Sequence, residues 1–338
     1  MKILVCGGVG YIGSHTCVAL IDRGHQVVIY DNLVNSSRMA VDRIGELVGA
    51  PVVFVEGDIR DRAKLASVLA DGIDAVIHFA ALKSVGESCA QPLAYFENNI
   101  SGTITLLQAM ESAGVNRLVF SSSATVYGDP DTVPIAEDAP LRVTNPYGRS
   151  KLVVEQLIGD LCASRPAFNA VLLRYFNPAG AHPSGRIGED PAGIPNNLMP
   201  YVAQVAVGQR ERLRVFGGDY PTRDGTGVRD YIHVMDLARA HVDAVEHLAV
   251  QPGCTTLNLG TGCGYSVLEV VRAFEVASGR PVPYDIVERR PGDVAEVWAD
   301  PSRAHTVLGW RAECDLARMC EDAWRWQSNN LSGYTAKA

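Results

Sequence analysis

Tyr147 and Lys151 frame the pentapeptide Tyr-Gly-Arg-Ser-Lys, and on a helix that spacing stacks phenol and ammonium on one face. The chemistry such a pair can do is proton transfer. A free tyrosine titrates near pH ~10, so a phenol acting as a base at neutrality needs its anion stabilised. Lowering its pKa by roughly three units takes about 4 kcal/mol, which a neighbouring lysine and a cationic ring could supply. Tyrosine and lysine at this separation are also common on ordinary amphipathic helices, so the pair counts only if other elements bring it a proton to take. Ser121-Ser122-Ser123 end an apolar run that starts at Arg117, with Ser123 twenty-four residues before Tyr147. Serines at the carboxyl end of a strand in an open parallel sheet lie in the ligand crevice.

The upstream elements must position that crevice. Residues 2–6 form a short apolar run, as expected of a strand buried on both faces. Gly7-Gly8-Val9-Gly10-Tyr11-Ile12-Gly13 follows, and a helix can continue to Arg23 and end at Gly24. Glycines at 7, 10 and 13 allow a tight turn, a close approach to a pyrophosphate, and packing of helix on sheet, with the helix N-terminus facing the phosphates. A second strand, Val27 to Tyr30, ends at Asp31, 18 residues beyond Gly13. A carboxylate there accepts from both ribose hydroxyls of adenosine and repels a 2′-phosphate, which selects NAD over NADP; Asp31 outweighs Arg38, the nearby cation. Val52 to Val55 is a third strand, with Asp58 and Ile59 placed to meet the adenine. Residues 75–80 are a fourth, with Ala80-Ala81 small enough for a cofactor to lie across its end and His78 read as a core histidine. A long helix from about Pro92 to Ala113, the strand before Ser123, and a helix from Tyr147 to about Cys162 continue the alternation. The fold class is therefore α/β, a doubly wound parallel sheet.

Size and composition agree. A chain of 338 residues can hold one α/β domain with a substrate-binding lobe. The apolar run after Lys2 ends at Gly7-Gly8, too soon for a secretory signal, and no stretch is long enough to span a bilayer. Eight cysteines show no CxxC and no Cys/His spacing for zinc, so no metal site is expected. Cys6, Cys17 and Cys162 read as small buried hydrophobes, and a reducing cytoplasm fits best. The net charge of −8 argues against nucleic acid as a partner, but not against an anionic small ligand in a local pocket.

With Gly7-x-x-Gly10-x-x-Gly13, Asp31, Asp58-Ile59, Ser123 and Tyr147-x-x-x-Lys151 in register, the chain resembles the extended short-chain dehydrogenase/reductase family. More narrowly, it is similar to the UDP-hexose 4-epimerases over nearly its whole length. Segments Gly7–His15, Gly57-Asp58-Ile59, Ser121–Gly128, Arg174–Pro178, Pro195–Tyr201 and Gly225–Leu237 carry the likeness. The resemblance implies a seven-stranded Rossmann domain over residues 1–176, rejoined by about 232–262, and a smaller α/β substrate-binding domain over 177–338. It implies a tightly held NAD and a homodimer built from the helices near 92–113 and 146–162. Further cofactor contacts follow from it: Tyr11 and Ile12 at the pyrophosphate, Asn32, Asn35 and Ser36 beyond Asp31, and Phe79, Ala80, Lys83, Asn98 and Phe176. One departure is Cys6, where the family usually has threonine; a thiol is the weaker hydrogen-bond donor.

In the second half, a strand at 169–174 leads to Asn177-Pro178 and a proline- and glycine-rich stretch over 178–200 that reads as loop wrapping a ligand. Arg229 and the late pair Arg289-Arg290 are cations from distant segments, suited to the oxygens of a diphosphate. By the resemblance, Arg229 and Arg290 hold the diphosphate of UDP-glucose or UDP-galactose, Asp293 the uridine ribose, and Phe216 flanks uracil. Asn177, Asn197 and Leu198 line the same pocket. The C4 hydrogen of a hexose is not acidic, so inversion there calls for oxidation. Tyr147 is expected to take the O4 proton while C4 gives hydride to NAD, with Ser123 sharing the bond to O4 and Lys151 holding the nicotinamide ribose. Where enzymes restricted to non-acetylated sugars typically have a bulky tyrosine, Val297 leaves room for the acetamido group of UDP-GlcNAc or UDP-GalNAc. Two other readings share the cofactor site. A nucleotide-sugar 4,6-dehydratase would, by resemblance, carry Asp-Glu where Ala124-Thr125 stand. A non-catalytic NAD-sensing protein would often lack the Tyr/Lys pair.

Overall fold

The structure is a computed structural model that describes residues 1–191, 193–290 and 292–334. The first half alternates strand and helix: β1 (Lys2–Cys6), α1 (Tyr11–Asp22), β2 (Gln26–Asp31), α2 (Arg38–Val48), β3 (Val53–Glu56), α3 (Arg62–Leu69), β4 (Ala75–His78), α4 (Val85–Ala90), α5 (Pro92–Phe96), α6 (Gly102–Ala113), β5 (Arg117–Ser123), α7 (Pro146–Ser164) and β6 (Asn169–Tyr175). The second half contains β7 (Asn177–Ala179), α8 (Leu198–Ala206), β8 (Leu213–Phe216), β9 (Val228–His233), α9 (Val234–Val250), β10 (Cys254–Leu259), β11 (Gly264–Ser266), α10 (Val267–Ser278), β12 (Tyr284–Val287), β13 (Glu296–Val297), α11 (Ser302–Leu308) and α12 (Leu316–Asn329).

Seven strands form one parallel sheet in the order β10-β6-β5-β4-β1-β2-β3. Its continuous apolar runs are explained by burial on both faces. Ile3, Val5, Val27 and Ile29 meet α1, α2 and α9 on one side, while Leu4, Cys6, Val28 and Tyr30 meet α3, α6 and α7 on the other. Each fully buried large side chain contributes about 1.5–3 kcal/mol, and both faces of the central strands are filled in this way.

The strand order reverses direction between β1 and β4, and the carboxyl ends of both strands open the crevice there. Outside this sheet, β9 organises a small one: it pairs in parallel with β7 and β13 and antiparallel with β11. β8 and β12 form a separate parallel pair.

The expected helical stretch from Pro92 to Ala113 is continuous but widens into a π turn over Glu97–Ser101, where α5 passes into α6. Neither a proline nor a glycine marks the turn within those five residues. Cys6 and Cys17 are buried as expected, whereas Cys162 is only half-buried.

Candidate functional site

The glycine turn is a cradle with three different constraints. Gly7 has φ +78°, and a Cβ there would lie 2.6 Å from the backbone nitrogen of Ala80. At Gly13 a Cβ would overlap the Gly7 carbonyl oxygen and lie 2.8 Å from Gly8 Cα, so α1 rests directly on the turn. A Cβ on Gly10 would meet only the Gly7 oxygen at 3.4 Å, an ordinary contact, so that position faces open space. Gly10 caps α1 with no side chain over the first-turn N–H groups of Tyr11 and Ile12. Such a cradle, which a Cβ would fill, fits the pyrophosphate of a dinucleotide.

Asp31, at the end of β2, is 8 % exposed and accepts from Val9 N at 3.0 Å, Leu33 N at 2.9 Å and Ser36 Oγ at 3.0 Å. The carboxylate thus ties the turn to the β2 loop and keeps lone pairs for a ribose. Arg38 lies over the Phe54 ring, 4.4 Å from its centroid. Asn32 Nδ2 donates to Asp58 at 3.0 Å. Asp58 also binds Arg60, whose hydrogen bonds hold its carboxyl well below the usual range against the opposing effect of burial. Ile59 is buried and Asn35 exposed beside this edge. Phe79 and Ala80 follow β4, and their N–H groups donate to the Cys6 carbonyl at 2.8 and 3.0 Å. That carbonyl, not the Cys6 thiol, makes the cross-strand bond here, so the departure from threonine leaves the turn closed.

The expected catalytic residues Ser123, Tyr147 and Lys151 meet at the end of β5. Asn145 caps α7, accepting from Gly148 N at 2.8 Å, and Pro146 takes the first helical position, which fixes where the helix begins. The Ser123 hydroxyl lies beside the Tyr147 phenol, and Thr125 Oγ1 donates to Ser123 Oγ at 2.9 Å. Burial pushes the Tyr147 phenol above its ordinary value, and the bond with Ser123 works against that. Lys151 is 4 % exposed, donates from Nζ to the Ser121 carbonyl at 2.6 Å and lies 4.9 Å from the Phe120 ring centroid. Burial lowers its pKa to about 7, and the charge of Glu155 opposes the fall. The ammonium is anchored on the strand, and burial by itself favours the protonated phenol. Ser122 also departs from expectation: alternation along β5 turns its hydroxyl away from the crevice to Glu155. His78 is a core residue, held by Thr103 at 2.9 Å and lowered to about 3 by burial and then by the charge of Lys151.

Beside the expected Asn98, the π turn brings in Asn99, which the sequence reading did not single out. Asn98 Nδ2 donates to Asn99 Oδ1 at 2.9 Å. Asn99 is 3 % exposed, accepts from Leu82 N at 2.8 Å, and donates to Leu82 O and Ser150 Oγ at 3.0 Å each. It thereby clamps the loop after β4 to the Tyr147 helix. A π turn widens the backbone and turns adjacent asparagines to different partners, a device common at functional sites. Lys83 pairs with Glu189 at 3.4 Å, and Glu189 also accepts from Asn197 at 2.8 Å. Tyr11 Oη donates to the Gly180 carbonyl at 2.7 Å. These contacts hold the 180–197 loop over the glycine turn.

On the other side, β9 aligns three expected substrate residues by register: Asn177 is opposite Tyr231, and Val297 is opposite Arg229. Arg229 donates to the Val228 carbonyl at 2.8 Å and the Ala295 carbonyl at 3.4 Å, beside the segment that bears Asp293. Arg290 pairs with Asp293 at 3.2 Å and lies 5.3 Å from the Phe216 ring centroid. Asp293 is therefore engaged by the expected diphosphate ligand Arg290. Asn197 is the N-cap residue of α8, and Leu198 begins that helix. Val297 packs in a cluster with Ala124, Val126 and Phe176, immediately beyond Ser123.

A family model described as GDP-mannose 4,6 dehydratase matches residues 4–323. A curated UDP-glucose 4-epimerase of Bacillus subtilis is 60% identical over 335 residues, 99% of either chain. The crystal structure of the Stenotrophomonas maltophila UDP-glucose-4-epimerase, with bound NAD and formylated UDP-arabinopyranose, superimposes with a TM-score of 0.96. It shares 57% identity over 98% of this chain and 99% of that one. The chain belongs to the UDP-glucose 4-epimerase family. A second epimerase structure, from Bifidobacterium longum in complex with NAD+ and UDP, shares 51% identity over 98% of this chain and 100% of that one, with a TM-score of 0.95.

The breadth of the dehydratase model and the narrowness of the epimerase match are reconciled at the end of β5. Ala124 and Thr125 occupy a short 3₁₀ turn after Ser123, and Thr125 is spent on the serine's hydroxyl. Neither residue is an acid, so the Asp-Glu pair that the resemblance implies for a 4,6-dehydratase is absent from this member of the UDP-glucose 4-epimerase family.

Proposed function

We propose that the chain interconverts UDP-glucose and UDP-galactose by reversible oxidation at C4, with NAD held as a resident group. The observation that carries this reading is the Ser123–Tyr147 pair at the carboxyl end of β5, followed by two residues without an acid. Bound NAD would supply the oxidation, accepting hydride from C4 and returning it. The cradle of Gly7, Gly10 and Gly13 with Asp31 would hold it, and Tyr11, Ile12, Asn32, Asn35, Ser36, Asp58, Ile59, Phe79, Ala80, Lys83, Asn98 and Phe176 would line it. Tyr147 Oη takes the O4 proton and gives it back, and Ser123 Oγ shares the hydrogen bond to O4. Lys151 holds the nicotinamide ribose and places positive charge near the phenolate. Arg229 and Arg290 grip the diphosphate, Asp293 the ribose and Phe216 the uracil, while Asn177, Asn197 and Leu198 face the sugar. Anchorage through UDP alone leaves the 4-keto sugar free to turn and present its other face.

The lobes follow from the sheet: residues 1–176 with about 232–262 bind the nucleotide, and the rest of 177–338 binds the UDP-sugar. Pairing of β10 with β6 supports that division. Leu93 on α5 is 80% exposed and Ile104 on α6 is 37% exposed, which supports a homodimer through these helices and α7. All eight cysteines are free thiols, in keeping with a reducing cytoplasm. No described helix is long and apolar enough to cross a membrane.

The test is an assay of the purified protein on UDP-galactose and UDP-GalNAc without added NAD, with the cofactor measured after denaturation. Turnover of UDP-galactose with NAD released is the expected result; no sugar interconversion, with NAD-dependent binding of another protein instead, would favour a sensor. Half-buried Val297, beside Ala124, favours acceptance of the acetamido sugar as well. Val297→Tyr is expected to abolish UDP-GalNAc turnover while sparing UDP-galactose, and an equal loss on both would count against that assignment.

A further inference from the structure

Three residues of α7, each four apart, grip three consecutive residues of β5. The Tyr147 phenol lies beside the Ser123 hydroxyl, Lys151 Nζ donates to the Ser121 carbonyl at 2.6 Å, and Glu155 accepts from the Ser122 hydroxyl. Two of these contacts belong to the chemistry proposed above. The third has no role in it, yet it is the most heavily built.

Glu155 and Arg174 are each 5 % exposed. Glu155 Oε1 accepts from Arg174 Nε at 2.9 Å and Oε2 from Nη2 at 2.6 Å, a forked pair. Arg174 Nη1 donates onward to Tyr127 Oη at 2.9 Å and the Glu137 carbonyl at 3.1 Å. Burial disfavours the guanidinium, and its bonds and attraction to Glu155 overcome this and hold it firmly charged. As a stability device such a pair is poor, because apolar side chains of the same volume commonly serve as well or better. What it supplies is geometry. Every polar atom is satisfied in one arrangement only, and that arrangement fixes where the middle serine sits.

We propose that Glu155 is a positioning residue of the active site, which by holding Ser122 sets the strand end where Ser121 anchors Lys151 and Ser123 meets Tyr147. The proposal rests on the reading of Ser123, Tyr147 and Lys151 as the reacting groups. It adds an electrostatic consequence. The titratable groups that interact with the Lys151 ammonium are Glu155 on its own helix and His78 from β4. His78 is held neutral by burial, and Glu155 is the one that supports the ammonium against its own burial. Without the carboxylate's charge, Lys151 would lose its proton at lower pH.

The test compares Glu155→Gln, Glu155→Gln/Arg174→Gln and Tyr147→Phe with the wild-type holoenzyme. In Glu155→Gln, kcat for UDP-galactose is expected to fall about tenfold or more, as small misplacements of reacting groups do. KM should stay within about twofold and NAD content should be unchanged, because the carboxylate touches neither ligand. The alkaline limb of the kcat–pH profile should move to lower pH. The double variant leaves no buried charge unpaired, so its thermal midpoint should exceed that of the single variant while the low kcat and displaced limb persist. Should Glu155→Gln not fold, the double variant decides. Wild-type kcat and pH profile in either folded variant, or recovery of rate together with stability in the double, would overturn the proposal. A crippled Tyr147→Phe beside a wild-type-like Glu155→Gln overturns positioning alone. A fully active Tyr147→Phe removes the reading beneath it and the proposal too.

Discussion

Tyr147→Phe is expected to lose about 10²- to 10⁴-fold in kcat on UDP-galactose and to purify with its NAD still bound. The substitution removes one oxygen and leaves the ring in place, and α7 keeps its Asn145 cap and its Lys151 anchor on Ser121. Only the proton acceptor is lost. The magnitude follows from the state of the phenol. Burial favours the protonated phenol and Ser123 opposes this, so the phenolate that takes the O4 proton needs positive charge beside it before that step. A phenylalanine has no oxygen to receive the proton. Steady-state rates with NAD quantified in the same samples check this. Near wild-type turnover with a full complement of NAD would make Tyr147 a bystander.

The second large effect belongs to the cradle, where two glycines are expected to fail differently. Gly13→Ala forces a methyl into the Gly7 carbonyl and to within 2.8 Å of Gly8 Cα, both backbone atoms that cannot swing aside. Overpacking of this kind costs about 1–3 kcal/mol, and relief requires α1 to lift from the turn that aims its N–H groups. The variant should lose both thermal stability and NAD. Gly10→Ala meets protein only at 3.4 Å, so the folded chain should tolerate it, and its methyl should instead obstruct the pyrophosphate. Thermal melts of the two variants stripped of cofactor, with NAD titrations by calorimetry, separate the cases. If Gly10→Ala bound NAD as the wild type does, the phosphates would not lie over that glycine.

The contrast between these residues and the polar interior marks how far the sequence can be read. The glycine turn and the Tyr147–Lys151 pair were legible because their meaning is local: a turn between adjacent elements, or one face of one helix. Asp31 was legible because a strand must end at the crevice. The π turn at Glu97–Ser101 was not, because no proline or glycine marks it. Asn99 stabilises it through partners at Leu82 and Ser150, the latter 51 positions away along the chain. The direction of Ser122 was missed for a related reason. Three serines in a row look alike until alternation is combined with the position of Glu155, 33 residues on. Arg290 and Asp293 were assigned separate ligands, yet their loop brings them within 3.2 Å of each other.

The sequence by itself determined the sheet, the glycine turn, the carboxylate at the end of β2, and the residues proposed to react. Those features are written in hydrophobic period and in residues a few positions apart, where the backbone allows few alternatives. Only the tertiary structure decided how the phenol is tuned, which serine faces it, and what holds the lysine. These depend on burial and on hydrogen bonds between α7, β5 and β6. Desolvation and partner choice arise only when distant segments close around the same few atoms.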